Sequence, residues 1–274
     1  MLWLRPRRPA GAWYVTLAMA VALTGFSFLA APWGWFGLGV RYAMAALFIS
    51  ALIASIRRPP YEEAQTEGSP LLVLVKVLIT LLFGAVAVGV LTAHAVPAGA
   101  VDLAFPLRGG AYLVQHGGSD SAANIHSSQG SQRYAVDLVE LNGAGMRARG
   151  IYPRDLSRYE IFGENVFSPC SGTVVNVVDG LPDNQPGAID AKQPLGNRVA
   201  IRCGDVEVTL AHLQRGSVAV RKGSAIASGS AIGKVGSSGD ASEPHLHIHA
   251  ERNGVAVPAR FDGRWLVRNA IVRR

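Results

Sequence analysis

The stretch PHLHIHAERNG, residues Pro244 to Gly254, sets His245, His247 and His249 at alternate positions, with Leu246, Ile248 and Ala250 between them. That alternation reads as a β-strand, in which side chains at i, i+2 and i+4 share one face. A solvated face could carry three imidazoles without any task. The whole chain has only 7 histidines, however, and imidazole is both a leading zinc ligand and the usual proton shuttle near neutrality. The cluster therefore points to metal or acid–base chemistry.

Working outward from this strand, short runs of the same kind recur: YAVDLVEL (134–141), GTVVNVVDG (172–180), NRVAIRC (197–203) and VEVTLAHL (206–213). Gly, Pro, Asn or Asp bounds each of them, and no long stretch after residue 98 shows a helical apolar period. The expectation is a mainly antiparallel β domain. Residues 143–160 and 180–196 lack strand pattern and read as long rims, a common place for function. The rhythm of VAVRKGSAIASGSAIGKVGSSG (218–239) is similar to that of a lipoyl or biotinyl carrier. Neither Lys222 nor Lys234 has the neighbours such a carrier needs, and the stretch reads instead as short strands with tight turns.

The first part of the chain is of another kind. The 274 residues are 49% hydrophobic and only 16% charged, and the excess sits in three runs, about 13–31, 36–56 and 71–93. Each is long enough to cross a bilayer core as a helix, which takes about 20 residues. Arg5, Arg7 and Arg8 precede the first run, Arg57 and Arg58 follow the second, and the joint PWGW between them has no base. The positive-inside rule then puts the N-terminus and the loop after Arg57 in the cytoplasm. Lys76 lies near that end, where its stem would snorkel to the headgroups. Everything after about Pro97 lies outside, so residues 1–97 are expected to anchor an exported domain, 98–274, to a membrane. A cleavable signal peptide over residues 1–31 is an alternative that leaves the C-terminal region on the same side.

The net charge of +7 is unevenly spread: 7 of the 26 bases and 3 of the 19 acids precede residue 98. The mild remaining excess of base suits an anionic envelope surface and is no nucleic-acid footprint. Cys170 and Cys203 both fall in the exported part, where two cysteines on neighbouring strands are expected to pair as a disulfide. A zinc site made from them is disfavoured because neither belongs to a C-x-x-C pair.

Taken in order, YAVDL, FSPCSGTVV, GNRVAI, LAHLQRGSVAVRKGSAIASGSAIGKVGSSG and PHLHIHAE resemble the lysostaphin-type zinc metallopeptidases, endopeptidases that cut peptide cross-bridges of bacterial cell walls. The resemblance implies their β-sheet and groove fold. It also implies Zn2+ as cofactor, Asp137 and His247 as zinc ligands, and His212 and His245 as the unligated imidazoles of the reaction centre. Most members place a further ligand four residues before the aspartate, as H-x-x-x-D; here that position is Arg133, which stays protonated and cannot ligate. The stretch NIHSSQGSQRYAVDL resembles a subset with an N-x-H motif, and makes His126 the third ligand, looping back over a small and flexible SSQGS. His249 would orient a ligand or line the groove, His116 would lie near the cleft or, the reading preferred, form a solvated strand end, and His94 reads as an interfacial residue.

The function expected is that of a membrane-anchored zinc metalloendopeptidase acting on the stem peptides of peptidoglycan, with the lipid bilayer as its other partner. The alternative is a catalytically degenerate relative that serves as a scaffold or activator of other wall hydrolases.

Overall fold

The computed structural model describes residues 10–57 and 69–274. Arg5, Arg7, Arg8 and Arg58, on which the orientation was read, lie outside the described residues, as does most of the loop that follows Arg57. Three helices are long and apolar enough to cross a membrane: α1 (Ala10–Ala30), α3 (Leu38–Ile56) and α4 (Pro70–Thr92). The PWGW joint is a helical turn rather than a plain loop, α2 (Trp33–Phe36). Helix α1 packs along α4, with Phe26 and Phe83 rings 4.8 Å apart, while Leu47, Leu71, Leu81 and other large apolar side chains point outward, as lipid-facing residues would. Lys76 Nζ donates to Thr16 Oγ1 of α1 at 3.0 Å.

After a short turn the chain becomes β. In order the strands are β1 (Val101–Leu103), β2 (Ala111–His116), β3 (Val136–Leu141), β4 (Asn165–Phe167), β5 (Gly172–Val178), β6 (Asn197–Cys203) and β7 (Val206–Leu213). There follow β8 (Ala225–Ile226), β9 (Ala231–Lys234), β10 (Leu246–Arg252), β11 (Val255–Val257), β12 (Ala259–Phe261), β13 (Arg264–Trp265) and β14 (Ile271–Arg273). One antiparallel sheet of 9 strands runs β14-β2-β3-β10-β7-β6-β5-β8, with β11 beside the far part of β10. The fold is thus the antiparallel one expected. A single parallel pair, β1 with β12, lies in a small separate sheet. The alternating residues Leu138, Ile201, Val208, Leu210, Leu246 and Ile248 close the core on one face of the main sheet.

Burying that face fixes register, since a slip of one residue would turn every core side chain to the other side. The consequence is that the opposite face of β10 carries its histidines in a defined position. His247 stands directly opposite Asp137 on β3 and opposite Ala211 on β7, the neighbour of His212. Cys170 and Cys203 are joined as a disulfide, tying the turn before β5 to the end of β6.

The helices and the sheet touch. Arg268 Nε donates to Ala30 O at 2.7 Å, Asn269 Nδ2 to Leu29 O and Ala31 O, and Trp265 Nε1 to Ala93 O. The ends of α1 and α4 and the start of α3 therefore lie on the side of the β domain.

Candidate metal centre

Three central strands, carrying Asp137, His212 and His247, a 3-10 turn carrying His126 and the residue before β10, His245, bring five of the expected residues into one cleft. Its volume is about 460 Å3, and His126, Asp137, His212, His245 and His247 line it. Nitrogen atoms of His126 and His247 and a carboxylate oxygen of Asp137 lie within 4.8 Å of one another, all three residues buried. Among the described residues no other group of three or more His, Cys, Asp or Glu is so arranged.

His126 reaches Asp137 through an ordered segment. The span read as a flexible spacer is two successive 3-10 turns, Ile125–Ser128 and Gly130–Gln132. Asn124 fixes their start. Its Oδ1 accepts from His126 N at 3.0 Å, and its Nδ2 donates to the carbonyls of Gly118 and Ala135, each at 3.0 Å. A side chain that caps a turn with its oxygen while its amide clamps two further segments explains why asparagine stands two residues before the histidine. Arg133 is exposed, its guanidinium over the Tyr134 ring, so it takes no part in the cleft.

His126 Nε2 is 2.8 Å from Asp137 Oδ2 and its Nδ1 is 2.9 Å from Gln129 Oε1. His247 Nδ1 is 2.9 Å from Asp137 Oδ1, and its Nε2 is 2.9 Å from His249 Nδ1. Burial alone would raise the Asp137 pKa. The charge of His126 and His245, with hydrogen bonds from His126 and His247, outweighs burial and holds the carboxyl well below its ordinary range. His126 shows the reciprocal effect: burial opposes its charge, but Asp137 and Gln129 raise it to about 8. Burial lowers His247 and lowers His249 to about 3, keeping both imidazoles neutral. An ionised carboxylate with two oriented imidazoles is a donor set zinc takes, His126 giving up its proton as the ion binds, and a partner on the second nitrogen is the usual companion of such a ligand. The residues fit the ion.

His212 and His245 are different. Each donates Nδ1–H to a main-chain carbonyl, His212 to Ser238 and His245 to Glu243, both at 2.8 Å. A carbonyl only accepts, so in the neutral ring the proton sits on Nδ1 and Nε2 carries the lone pair. The two rings are 4.6 Å apart, and burial lowers His212 well below its ordinary pKa. His212 also sits at φ +60, a conformation costly for a residue with a Cβ and one that clusters at functional sites.

His116 corrects the reading of a solvated strand end. It lines the cleft, its ring 6.1 Å from that of His126, and burial lowers its pKa to about 4. Arg268, a residue with no motif around it, holds it in place through Nη1, 3.3 Å from His116 Nδ1. Of the other site residues, Glu243 and Arg147 carried no signal in the sequence, because their pairing spans nearly a hundred residues.

An antiparallel sheet that presents a buried His-Asp-His cluster in a groove, with two further imidazoles beside it, defines a candidate hydrolytic metal centre. Residues 158–259 match peptidase family M23, so the chain carries a peptidase family M23 domain there, and the lysostaphin-type resemblance seen in the sequence is borne out. His212, His245 and His247 lie inside the matched stretch; His126 and Asp137 precede it. No curated protein matches the chain. Among solved structures it is similar to the SpoIIQ–SpoIIIAH pore-forming complex, at 23% identity over 44% of this chain and 59% of that one, with a TM-score of 0.30. It is also similar to the catalytic domain of lysostaphin from Staphylococcus simulans, at 22% identity over 45% and 69%, TM-score 0.29. A third is a zinc-containing peptidase from Vibrio cholerae, at 20% identity over 45% and 48%, TM-score 0.28. The chain thus spans 59% of the first of these and 48% of the third.

Proposed function

We propose that the protein is a zinc metalloendopeptidase that hydrolyses peptide cross-links of bacterial peptidoglycan from a multi-pass anchor in the inner membrane. The observation that carries this reading is the buried cluster of His126, Asp137 and His247 beside two imidazoles whose Nε2 atoms are free to take a proton. His126, Asp137 and His247 would hold the ion. When bound there, zinc supplies Lewis acidity, lowering the pKa of water and polarising a carbonyl.

The remaining work falls to the chain. Amide hydrolysis takes a proton from the attacking water and gives one to the leaving nitrogen. His212 and His245, each with its Nδ1–H committed to the main chain, offer Nε2 for both transfers and, once protonated, a donor for the developing oxyanion. Gln129 and His249 keep the ligand rings from rotating. An open cleft of about 460 Å3 on a sheet suits an extended peptide.

Residues 1–97 would be the anchor and residues 98–274 the domain outside the cytoplasm. Support comes from the three apolar helices and from the contacts that put Ala30, Ala31 and Ala93 on the β-domain side, opposite Arg57. The test is incubation of the purified full chain with cross-linked muropeptides, with and without a chelator. Release of new amino groups that the chelator stops and zinc restores is the expected result. A zinc-loaded chain that cleaves nothing would overturn the enzyme reading in favour of a scaffold for other wall hydrolases.

A further inference from the structure

Arg147 is 1% exposed, in the long loop between β3 and β4, and belongs to neither the metal cluster nor the pair of free imidazoles. Its Nε lies 2.7 and 2.9 Å from the two carboxylate oxygens of Glu243, and its Nη2 lies 2.6 Å from Glu243 Oε2. Glu243 is 3% exposed and also accepts from Gln115 Nε2 at 2.6 Å. Two residues further along stands His245, whose Nδ1–H is held by the main-chain carbonyl of that same Glu243. The ion pair thus fixes the turn that orients a free imidazole of the cleft.

The other side of Arg147 meets the joint between the first two long helices. Its guanidinium carbon lies 4.2 Å from the centroid of the Trp35 ring, a cation–π distance. Trp35 is itself stacked on Tyr152, at 5.4 Å and 15°, and Tyr152 Oη donates to Ser242 O at 2.6 Å. The main chains are as close: Arg147 N donates to Gly34 O at 2.9 Å. Such an approach needs glycine on both sides. A Cβ at Gly37 would come within 2.9 Å of Ala144 O, a Cβ at Gly145 within 2.8 Å of Leu38 N, and both residues have positive φ.

Burial of a charge pair adds little to stability over an apolar pair of the same shape, but removal of one partner is costly. What this pair supplies is a fixed geometry, and it supplies it between the membrane-side joint and His245. We propose that the segment Pro32–Gly37 is a positioning element of the cleft: Trp35 and Gly34 hold Arg147, Arg147 holds Glu243, and Glu243 holds His245. The spans then do more than anchor. They set the orientation of a reacting imidazole. The consequence for turnover rests on the peptidase reading; the consequence for His245 does not.

The experiment uses the full chain in lipid nanodiscs, labelled with 15N-histidine, as wild type, Trp35→Ala and Trp35→Phe. The His245 Nδ1–H proton, bonded to a carbonyl, should give a downfield resonance, assigned by its absence from His245→Ala. In Trp35→Ala this resonance should shift or vanish, zinc content should stay at the wild-type level, and kcat should fall about tenfold with KM little changed, as for a misplaced catalytic group. Trp35→Phe, which keeps an aromatic face, should restore most of the signal and of kcat. A His245 resonance in folded Trp35→Ala that matches wild type would overturn the proposal. So would one equally disturbed in Trp35→Phe, which also serves as the readout if Trp35→Ala does not fold. Absence of peptidase activity from the wild type would remove the enzyme reading alone, since the resonance still decides the positioning.

Discussion

On one side of the cleft His126 and His247 each face an oxygen of Asp137; on the other, His212 and His245 each donate to a main-chain carbonyl. The residue type is the same and the burial similar, yet the chemistry open to the two pairs differs. A ring set against a buried carboxylate is oriented to share a cation with it. A ring whose Nδ1–H is spent on a carbonyl has Nε2 left for a proton or a metal, but His245 Nε2 stands 3.8 Å from Asp137 Oδ1, beyond hydrogen-bond reach, and no hydrogen bond joins His212 to that carboxylate. The role proposed for each imidazole therefore follows from whether it bonds Asp137, and the contrast can be broken or sharpened by substitution.

The largest effect that separates the pairs should come from His212→Ala and His245→Ala. Loss of a general acid or base lowers turnover roughly 10²- to 10⁴-fold, and zinc content should stay at the wild-type level if, as proposed, neither ring is a ligand. Loss of zinc from either variant would erase the distinction. A smaller effect is expected from His249→Ala, which frees His247 Nε2: zinc affinity should weaken about 10- to 100-fold, read by competition with a chromophoric chelator. An unchanged affinity would mean that the 2.9 Å contact does not orient the ligand.

The smallest effect sharpens the electrostatic half of the comparison. Three residues along the same strand from Asp137, whose carboxyl is held ionised by imidazoles, Glu140 is raised to about 7, first by burial and then by the charges of Glu164 and Glu160. Between its ordinary value of 4.5 and about 7 the folded chain binds a proton that the unfolded chain releases. Stability should therefore fall as pH rises through that window and stay lower above it. Glu140→Gln should raise the melting temperature by about a few degrees at pH 8 and leave it unchanged near pH 4. A gain of equal size at both values would show that charge is not the cause.

Much of this was legible in the sequence because it is local. The alternation in residues 134–141, 197–203, 206–213 and 245–251 named the central strands, and the three apolar runs named the long helices to within a few residues. His126, Asp137, His212, His245 and His247, expected from a resemblance, do meet in one cleft, and the cysteines do pair. What was not legible depends on contacts between distant segments. The ordered turns before Asp137 rest on Asn124 reaching Ala135. The burial of His116 rests on Arg268, and the Arg147–Glu243 pair has no periodicity to betray it. The bond of Lys76 to Thr16 was hidden for the same reason, since Thr16 comes to it from another helix.

The central claim is that His126 replaces the ligand that Arg133 cannot be, and metal analysis of purified variants tests it most directly. Wild-type chain should bind one zinc, and His126→Ala should lose it as fully as Asp137→Ala and His247→Ala do, because two remaining ligands hold the ion poorly. Full zinc occupancy in His126→Ala, with Asp137→Ala and His247→Ala empty, would contradict the account.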